Sequence, residues 1–380
     1  MKLVKILLVC LFIGVTLCDD IKVGFYMANI EGFNYTAEET NKILKVLAKS
    51  SNENTTNDNS ILKSSFIDNI EGVLVPDHDV LLFSFQETNS DFAFSLKTQF
   101  TTKEWSHWTC QNAIIKKGFT HFSKKLTYTY ICYKKERFTV TLKKNAGLVD
   151  WALDLKEAIG ICLKDKKSTK SINYCFIGSH LDTNLLVGGN IVKGLFSSLN
   201  KKFNKKDYVF YIIGDLNLRT WFDINDANIK DIEKSNVDKS LPIRKDVIKG
   251  DSEAMNGFKS ILTTLKSSIK FEFCGVDNIY KLPYTYNYLN PKDGDLNEIK
   301  NGQIDLTHVL KQKSATKEKK VNNLGWLDRL ACGYASNIDS CFIKGGNGNV
   351  QYFAVPFLRK ADHMPVVGHF RISDGNRKLK

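Results

Sequence analysis

After its opening residues, the 380-residue sequence has no second apolar run of membrane-spanning length. It also has no internal repeat, no Cys/His spacing of a structural zinc site, and no linker that would divide it. These absences exclude a polytopic membrane protein, a solenoid and a zinc-stapled mini-domain. They leave one unit of about 360 residues, long for a single domain but within reach of a two-layer α/β sandwich. Acidic residues are in short supply too: 41 Asp and Glu face 54 Lys and Arg, a formal charge of +13. Without Lys2 and Lys5 the balance is about +11. Such a charge favours phosphorylated sugars, anionic lipid headgroups or nucleic acid as partners. The lysines are spread along the sequence rather than gathered in one block, a distribution that solubility alone also explains.

Lys2 and Lys5 form a basic n-region, Ile6 to Leu17 are almost unbrokenly apolar, and Asp19-Asp20 follow. The stretch is too short for a stable transmembrane helix and reads as a cleaved secretory signal over residues 1–18, with Thr16 at the −3 position. Bulky Leu17 argues against a lipoprotein acylated at Cys18. Residues 19–380 are then expected to be a single secreted domain. The sequons Asn34-Tyr35-Thr36 and Asn54-Thr55-Thr56 suit surface glycosylation on that route. Two of the nine cysteines lie in the signal, and the odd remainder implies at least one thiol outside any intrachain pair. Cys332 and Cys341 flank a turn-like segment and are candidates for a local loop. Cys110 and Cys132 are a second candidate pair.

Short apolar runs rich in β-branched and aromatic residues predict strands over Ile21–Ala28, Val80–Phe85, Tyr174–Ser179, Tyr208–Ile213 and Val366–Ile372. Helical spacing appears over Ala37–Ala48 and Asp182–Lys202. The Asn-rich Ser51–Ser60 and lysine-rich Lys311–Asn323 read as loops. Mixed strands and helices without strict alternation suggest two antiparallel-rich sheets face to face, with helices outside.

Several strands end at a residue of chemical interest. Tyr211-Ile212-Ile213-Gly214-Asp215-Leu216-Asn217-Leu218-Arg219 runs from an apolar strand into a carboxylate and an amide two apart, a pair able to orient a water and a phosphate oxygen. An Asx turn at a strand end gives the same pattern. Asp362-His363 precedes a predicted strand, and Ser179-His180-Leu181, Gln86-Glu87 and Ala28-Asn29 end others. Trp326-Leu327-Asp328-Arg329-Leu330 completes the set. Each is bland alone; their order is less so.

That order is similar to the endonuclease/exonuclease/phosphatase superfamily. Gly214-Asp215-Leu216-Asn217-Leu218-Arg219 and Trp326-Leu327-Asp328-Arg329 resemble inositol polyphosphate 5-phosphatases in particular, as does Pro283-Tyr284-Thr285-Tyr286-Asn287. The resemblance spans Asn29 to Phe370. It implies a DNase I-like four-layer α/β/β/α sandwich and Mg²⁺-dependent removal of a 5-phosphate from inositol polyphosphates or phosphoinositides. On the matched positions, Glu87 binds Mg²⁺, with Asn29 and Asp362 assisting. His180 holds the scissile phosphate, Asp215 orients or deprotonates the attacking water, and Asn217 holds a phosphate oxygen. Asp328 orients His363. Arg219, Arg329, Tyr286, Asn287, Lys319 and Lys320 are the expected substrate contacts, with Arg329 supporting either the site or the substrate phosphates through bidentate bonds. The sequence departs from the family at Asn287, where a lysine is usual, around Lys319-Lys320, and at His180-Leu181-Asp182-Thr183-Asn184. The reaction type is therefore better marked than the substrate. The expected partner is a phosphorylated inositol or its lipid, with peripheral membrane contact and no stable nucleic-acid complex. Three other readings stand beside it: a secreted phosphodiesterase (sphingomyelinase or DNase I-like nuclease), which would share Glu87, His180, Asp215-x-Asn217 and Asp362-His363; a haem-bound nitric oxide carrier using a thiolate such as Cys110, which has no need of the metal and acid/base residues; and a catalytically silent phosphoinositide-binding module.

Overall fold

A computed structural model describes residues 20–51, 60–71, 76–88, 103–113, 126–142, 150–151, 156–219, 242–266, 268–282, 284–286 and 325–373. Thirteen strands are present among them: β1 Ile21–Asn29, β2 Val80–Thr88, β3 Trp108–Ala113, β4 Leu126–Lys134, β5 Phe138–Leu142, β6 Asp150–Trp151, β7 Lys156–Asp165, β8 Asn173–His180, β9 Tyr208–Asp215, β10 Lys270–Phe273, β11 Asp328–Tyr334, β12 Gln351–Ala354 and β13 Val366–Ile372. One sheet runs β12-β13-β1-β2-β4-β3 and the other β10-β11-β9-β8-β7-β5, with β6 paired to β7. Only β1–β2 and β8–β9 are parallel among these pairings.

The continuous apolar runs follow from burial on both faces of a strand. In β1, Val23, Phe25 and Met27 pack toward the opposing sheet, while Tyr26 and Ala28 join the cluster formed with helix α1 (Ala37–Ser50). The same period of two divides β2, with Val80 and Leu82 inward and Leu81, Phe83 and Phe85 toward the helix. Each such side chain contributes roughly 1.5–3 kcal/mol on burial. Thr36 caps α1 through a reciprocal bond with Glu39, which fixes where the helix begins. A four-residue helix, α2 (Ser65–Asp68), follows it. Helices α3 (Leu185–Lys202) and α4 (Pro242–Thr264) cover the outer face of the second sheet through Ile191, Leu195, Phe258 and Leu262. The result is the expected four-layer sandwich.

All five expected strands are present, most of them running one to three residues further into the polar residues at their ends. The second expected helix begins at Leu185, because Asn184 caps it by accepting from Leu186 N at 3.0 Å. Strands β4, β7 and β11 and helix α4 were not anticipated, for their apolar positions are interrupted by Thr, Lys, Glu, Arg and Cys. The polar loop at Ser51–Ser60 lies largely, and that at Lys311–Asn323 wholly, outside the described residues. Both suggested cysteine pairs are bonded, Cys110–Cys132 and Cys332–Cys341, and Cys162–Cys175 forms a third. Cys274 is free and buried.

Candidate functional site

Strand direction gathers the site. Parallel β1–β2 and β8–β9 deliver their last residues to one end of the sandwich, and antiparallel β11 and β13 begin there. Register sets His180 beside Asp215, and Asp215 beside Asp328. It also sets Asn29 beside Gln86, next to Glu87. The residues separated by up to 334 positions in sequence thereby converge.

Asp215 Oδ2 is the hub. His180 Nε2 lies 3.3 Å away, Asn29 Nδ2 3.5 Å and His363 Nε2 3.7 Å. Glu87 Oε1 is 3.9 Å from His180 Nε2, and Asp362 Oδ1 is 3.8 Å from His363 Nε2. Asp328 Oδ2 accepts from His363 Nδ1 at 2.8 Å, and its backbone N–H donates to Thr285 Oγ1 at 3.1 Å. The pair fixes the ring so that Nε2 faces Asp215 and Asp362. Burial opposes charge on His363, yet Asp328, Asp215 and Asp362 overcome it and raise its pKa to about 10. Burial likewise works against a charged Asp215, but His363, His180 and Lys156 hold it well below the usual carboxylate range.

Backbone conformation aims these groups. Glu87 has φ 56°, sparsely populated for a glutamate, within an irregularity of the β2–β4 pairing between Phe85 and Thr88. That break turns the side chain off the strand's regular alternation. Gly214 has φ 129°, and a Cβ there would lie 2.2 Å from the Ser179 carbonyl oxygen. Only glycine permits β9 to approach β8 so closely just before Asp215. Asn217 N donates to Asp215 Oδ1 at 2.9 Å, so the Asx turn and the hub carboxylate are one feature.

Lys156, at the start of β7, was missed from the sequence. Its ammonium lies within hydrogen-bonding reach of His180 Nε2. A single ring nitrogen serves either Lys156 as acceptor or Asp215 as donor. Burial and Lys156 together push the His180 pKa down, favouring the neutral ring. No local motif marks Lys156; the β7–β8 register, which sets its neighbour Glu157 against His180, brings it here.

The structure refines three expectations, those for Arg329, Cys110 and Asn217. Arg329 does form bidentate bonds, but to Asp251 of α4, at 2.5 and 3.1 Å, and it is 1% exposed. Its Nε also donates to the Trp326 carbonyl. A guanidinium buried and saturated this way anchors the start of β11, which carries Asp328, and supports the site rather than contacting a substrate. The sequence could not reveal Asp251, which is 78 positions away. Cys110 cannot supply a haem thiolate while bonded to Cys132. The free thiol, Cys274, is 2% exposed, and burial pushes its pKa up, away from a thiolate. Asn217 is fully buried, its amide donating to the Leu181 carbonyl at 2.5 Å and accepting from Arg219 Nε at 3.2 Å. It braces the turn. Arg219 lies 4.7 Å over the Tyr286 ring, whose centroid is 4.6 Å from that of His363. Asn287, Lys319 and Lys320 lie outside the described residues.

The donor set suits a hard divalent cation. Glu87 and Asp362 are partly exposed beside buried Asp215. Burial raises the Asp362 pKa to about 6, with Glu31, Glu87 and Asp215 adding to the rise. Crowded like charges of this kind are relieved by a cation, and carboxylate oxygens are the ligands magnesium prefers.

No family model matches the sequence, and no curated protein matches it significantly. Among solved structures, the chain is similar to the inositol polyphosphate 5-phosphatase domain of SpSynaptojanin in complex with inositol (1,4)-bisphosphate and calcium ion, at 16% identity and TM-score 0.43, covering 93% of this chain and 84% of that one. It is similar to Cimex nitrophorin in its ferrous NO complex at 12% identity and TM-score 0.46, over 93% and 99% of the two chains. An endonuclease/exonuclease/phosphatase family protein from Bacteroides thetaiotaomicron matches at 12% identity and TM-score 0.40, over 93% and 99%.

Proposed function

We propose that the chain is a secreted, divalent-metal-dependent phosphoesterase, and specifically a phosphomonoesterase acting on inositol polyphosphates or their lipids. The observation that carries this reading is the convergence of Asn29, His180 and His363 on one ionised carboxylate, Asp215, with Glu87 and Asp362 alongside. Three disulfides support the secretory route, since such bonds persist in oxidising compartments.

Glu87, Asn29 and Asp362 would hold the Mg²⁺, which supplies charge neutralisation at the phosphoryl oxygens. The chain's own residues divide the remaining tasks. Asp215 is ionised across the physiological range and accepts a hydrogen bond from the attacking water, orienting it rather than acting as a strong base. His363, protonated and pinned by Asp328, donates from Nε2 to an oxygen of the transferred phosphate. Lys156 adds a cation beside His180, where a phosphate is expected to sit. Arg219 on Tyr286 forms the rim, with a planar fork suited to a neighbouring ring phosphate.

The test is phosphate release from a panel of inositol polyphosphates and phosphoinositides, with Mg²⁺ and with EDTA. Metal-dependent release is expected. Release from no member by folded protein overturns the reading, and cleavage of sphingomyelin or duplex DNA instead would assign a phosphodiesterase.

A further inference from the structure

The lysines that look scattered in sequence are gathered by the fold. Lys135 follows β4, Lys164 and Lys166 lie at the β7–β8 turn, and Lys205 and Lys206 lead into β9. All belong to the end of the sandwich opposite the candidate site. Contacts tie the turns together: Lys166 Nζ donates to the Lys135 carbonyl at 2.8 Å, Lys164 Nζ to Ser171 Oγ at 3.0 Å, and Asn173 N to the Asp207 carbonyl at 2.7 Å. Neighbouring strands lie about 4.8 Å apart, so the row from β5 across β7 and β8 to β9 is roughly 14 Å long. Lys164 is half-buried and the other four are exposed. None of the five forms an ion pair among the described residues. The carboxylates in the same turns are fewer than the lysines and are engaged elsewhere: Asp165 with Arg137 at 2.9 Å, Asp207 with Asn337 at 3.0 Å, and Glu136 with His107 at 3.2 Å, although Glu136 also feels the charge of Lys135.

We infer that this row binds an extended polyanion, a sulfated polysaccharide, holding the protein with its site facing away from the bound chain. An excess of like charge along one edge is unfavourable alone and is relieved by a chain of anions, with release of counterions. Among the described residues, the exposed large apolar side chains are Phe33 and Leu186, both at the site end. Among the described residues, the lysine end therefore presents no exposed stacking platform for nucleobases and no exposed wedge for a bilayer. The disulfides point to an oxidising exterior, where sulfated polysaccharides are the abundant polyanions.

The test measures heparin affinity at about 0.15 M salt and its salt dependence. Wild type is compared with Lys166→Gln/Lys205→Gln/Lys206→Gln and with Lys63→Gln/Lys193→Gln/Lys249→Gln, which removes equal charge elsewhere. The first triple is expected to weaken binding by about tenfold or more and to flatten the salt dependence, and the second to change affinity less than about twofold. Circular dichroism checks folding, and phosphate release should be unaltered in both triples. Equal loss in the two triples, no heparin binding by wild type, or tighter binding of duplex DNA or anionic vesicles at the same salt would each overturn the assignment.

Discussion

His363, at the site end, is buried against Asp328, Asp215 and Asp362; His78 and His369, toward the other end, are buried against each other. The contrast is between an imidazole kept charged and two kept neutral. Ser50 Oγ donates to the Val46 carbonyl at 2.6 Å, so it accepts from His369 Nε2, also at 2.6 Å. His369 Nδ1 then accepts from His78 Nε2 at 2.9 Å, leaving His78 Nδ1 a buried lone pair without a partner. Burial, with Lys134 and Lys22 adding to it, pushes the His78 pKa down to about 3. Burial lowers His369 as well, with His78 contributing. Three histidines of similar exposure thus differ in charge because of what faces them. Burial alone does not make a site; carboxylates converging on the buried ring do.

The largest test of that contrast is chemical. Asp215→Asn should lower kcat by about 10³-fold or more while the protein stays folded, checked by phosphate release and circular dichroism. Wild-type turnover in a folded variant would remove Asp215 from the mechanism.

Buried ion pairs come next, and here both ends should respond alike in stability. Arg137 bridges Asp79 and Asp165 at 2.9 Å each at the far end, as Arg329 bridges to Asp251 near the site. Arg137→Ala and Asp251→Ala should each cost about 3–5 kcal/mol in urea unfolding, because each strands buried charge. Only Asp251→Ala should also reduce kcat, since Arg329 anchors the start of β11, which carries Asp328. A kcat loss in Arg137→Ala would blur the division between the ends.

The histidines predict opposite pH limbs. His78, with its folded pKa lowered, contributes stability that is full above about pH 6.5 and is lost as pH falls toward 3. His363, with its folded pKa raised, contributes stability that is full below about pH 6.5 and is lost as pH rises toward 10. Each limb should have a slope of up to about 1.4 kcal/mol per pH unit. His78→Gln/His369→Gln should flatten the acid limb of urea midpoints, and Asp328→Asn the alkaline one. An unchanged acid limb would mean that carboxylates elsewhere govern it. The smallest effect belongs to exposed pairs: Lys344→Ala, which loses a 2.5 Å contact to Asp20, should change stability by less than about 1 kcal/mol.

Much of this was legible in the sequence. Apolar runs located the central strands, because a strand buried on both faces must be apolar throughout. Gly214-Asp215-x-Asn217 could be read locally, since the turn needs a glycine at positive φ and closes with the backbone N–H of Asn217, itself at positive φ, on the carboxylate. The edge and amphipathic strands escaped, as did α4, because mixed polarity leaves the periodicity ambiguous.

By itself, then, the sequence determined the layered fold and the order of the chemical residues, both set by short-range burial and turn geometry. The tertiary structure alone decided who meets whom. It gave Arg329 to Asp251, placed Lys156 against His180, tied up Cys110, and collected scattered lysines at one end. A partner's identity depends on strand register and direction across long separations, and register is settled by packing the whole sheet rather than by any segment of it.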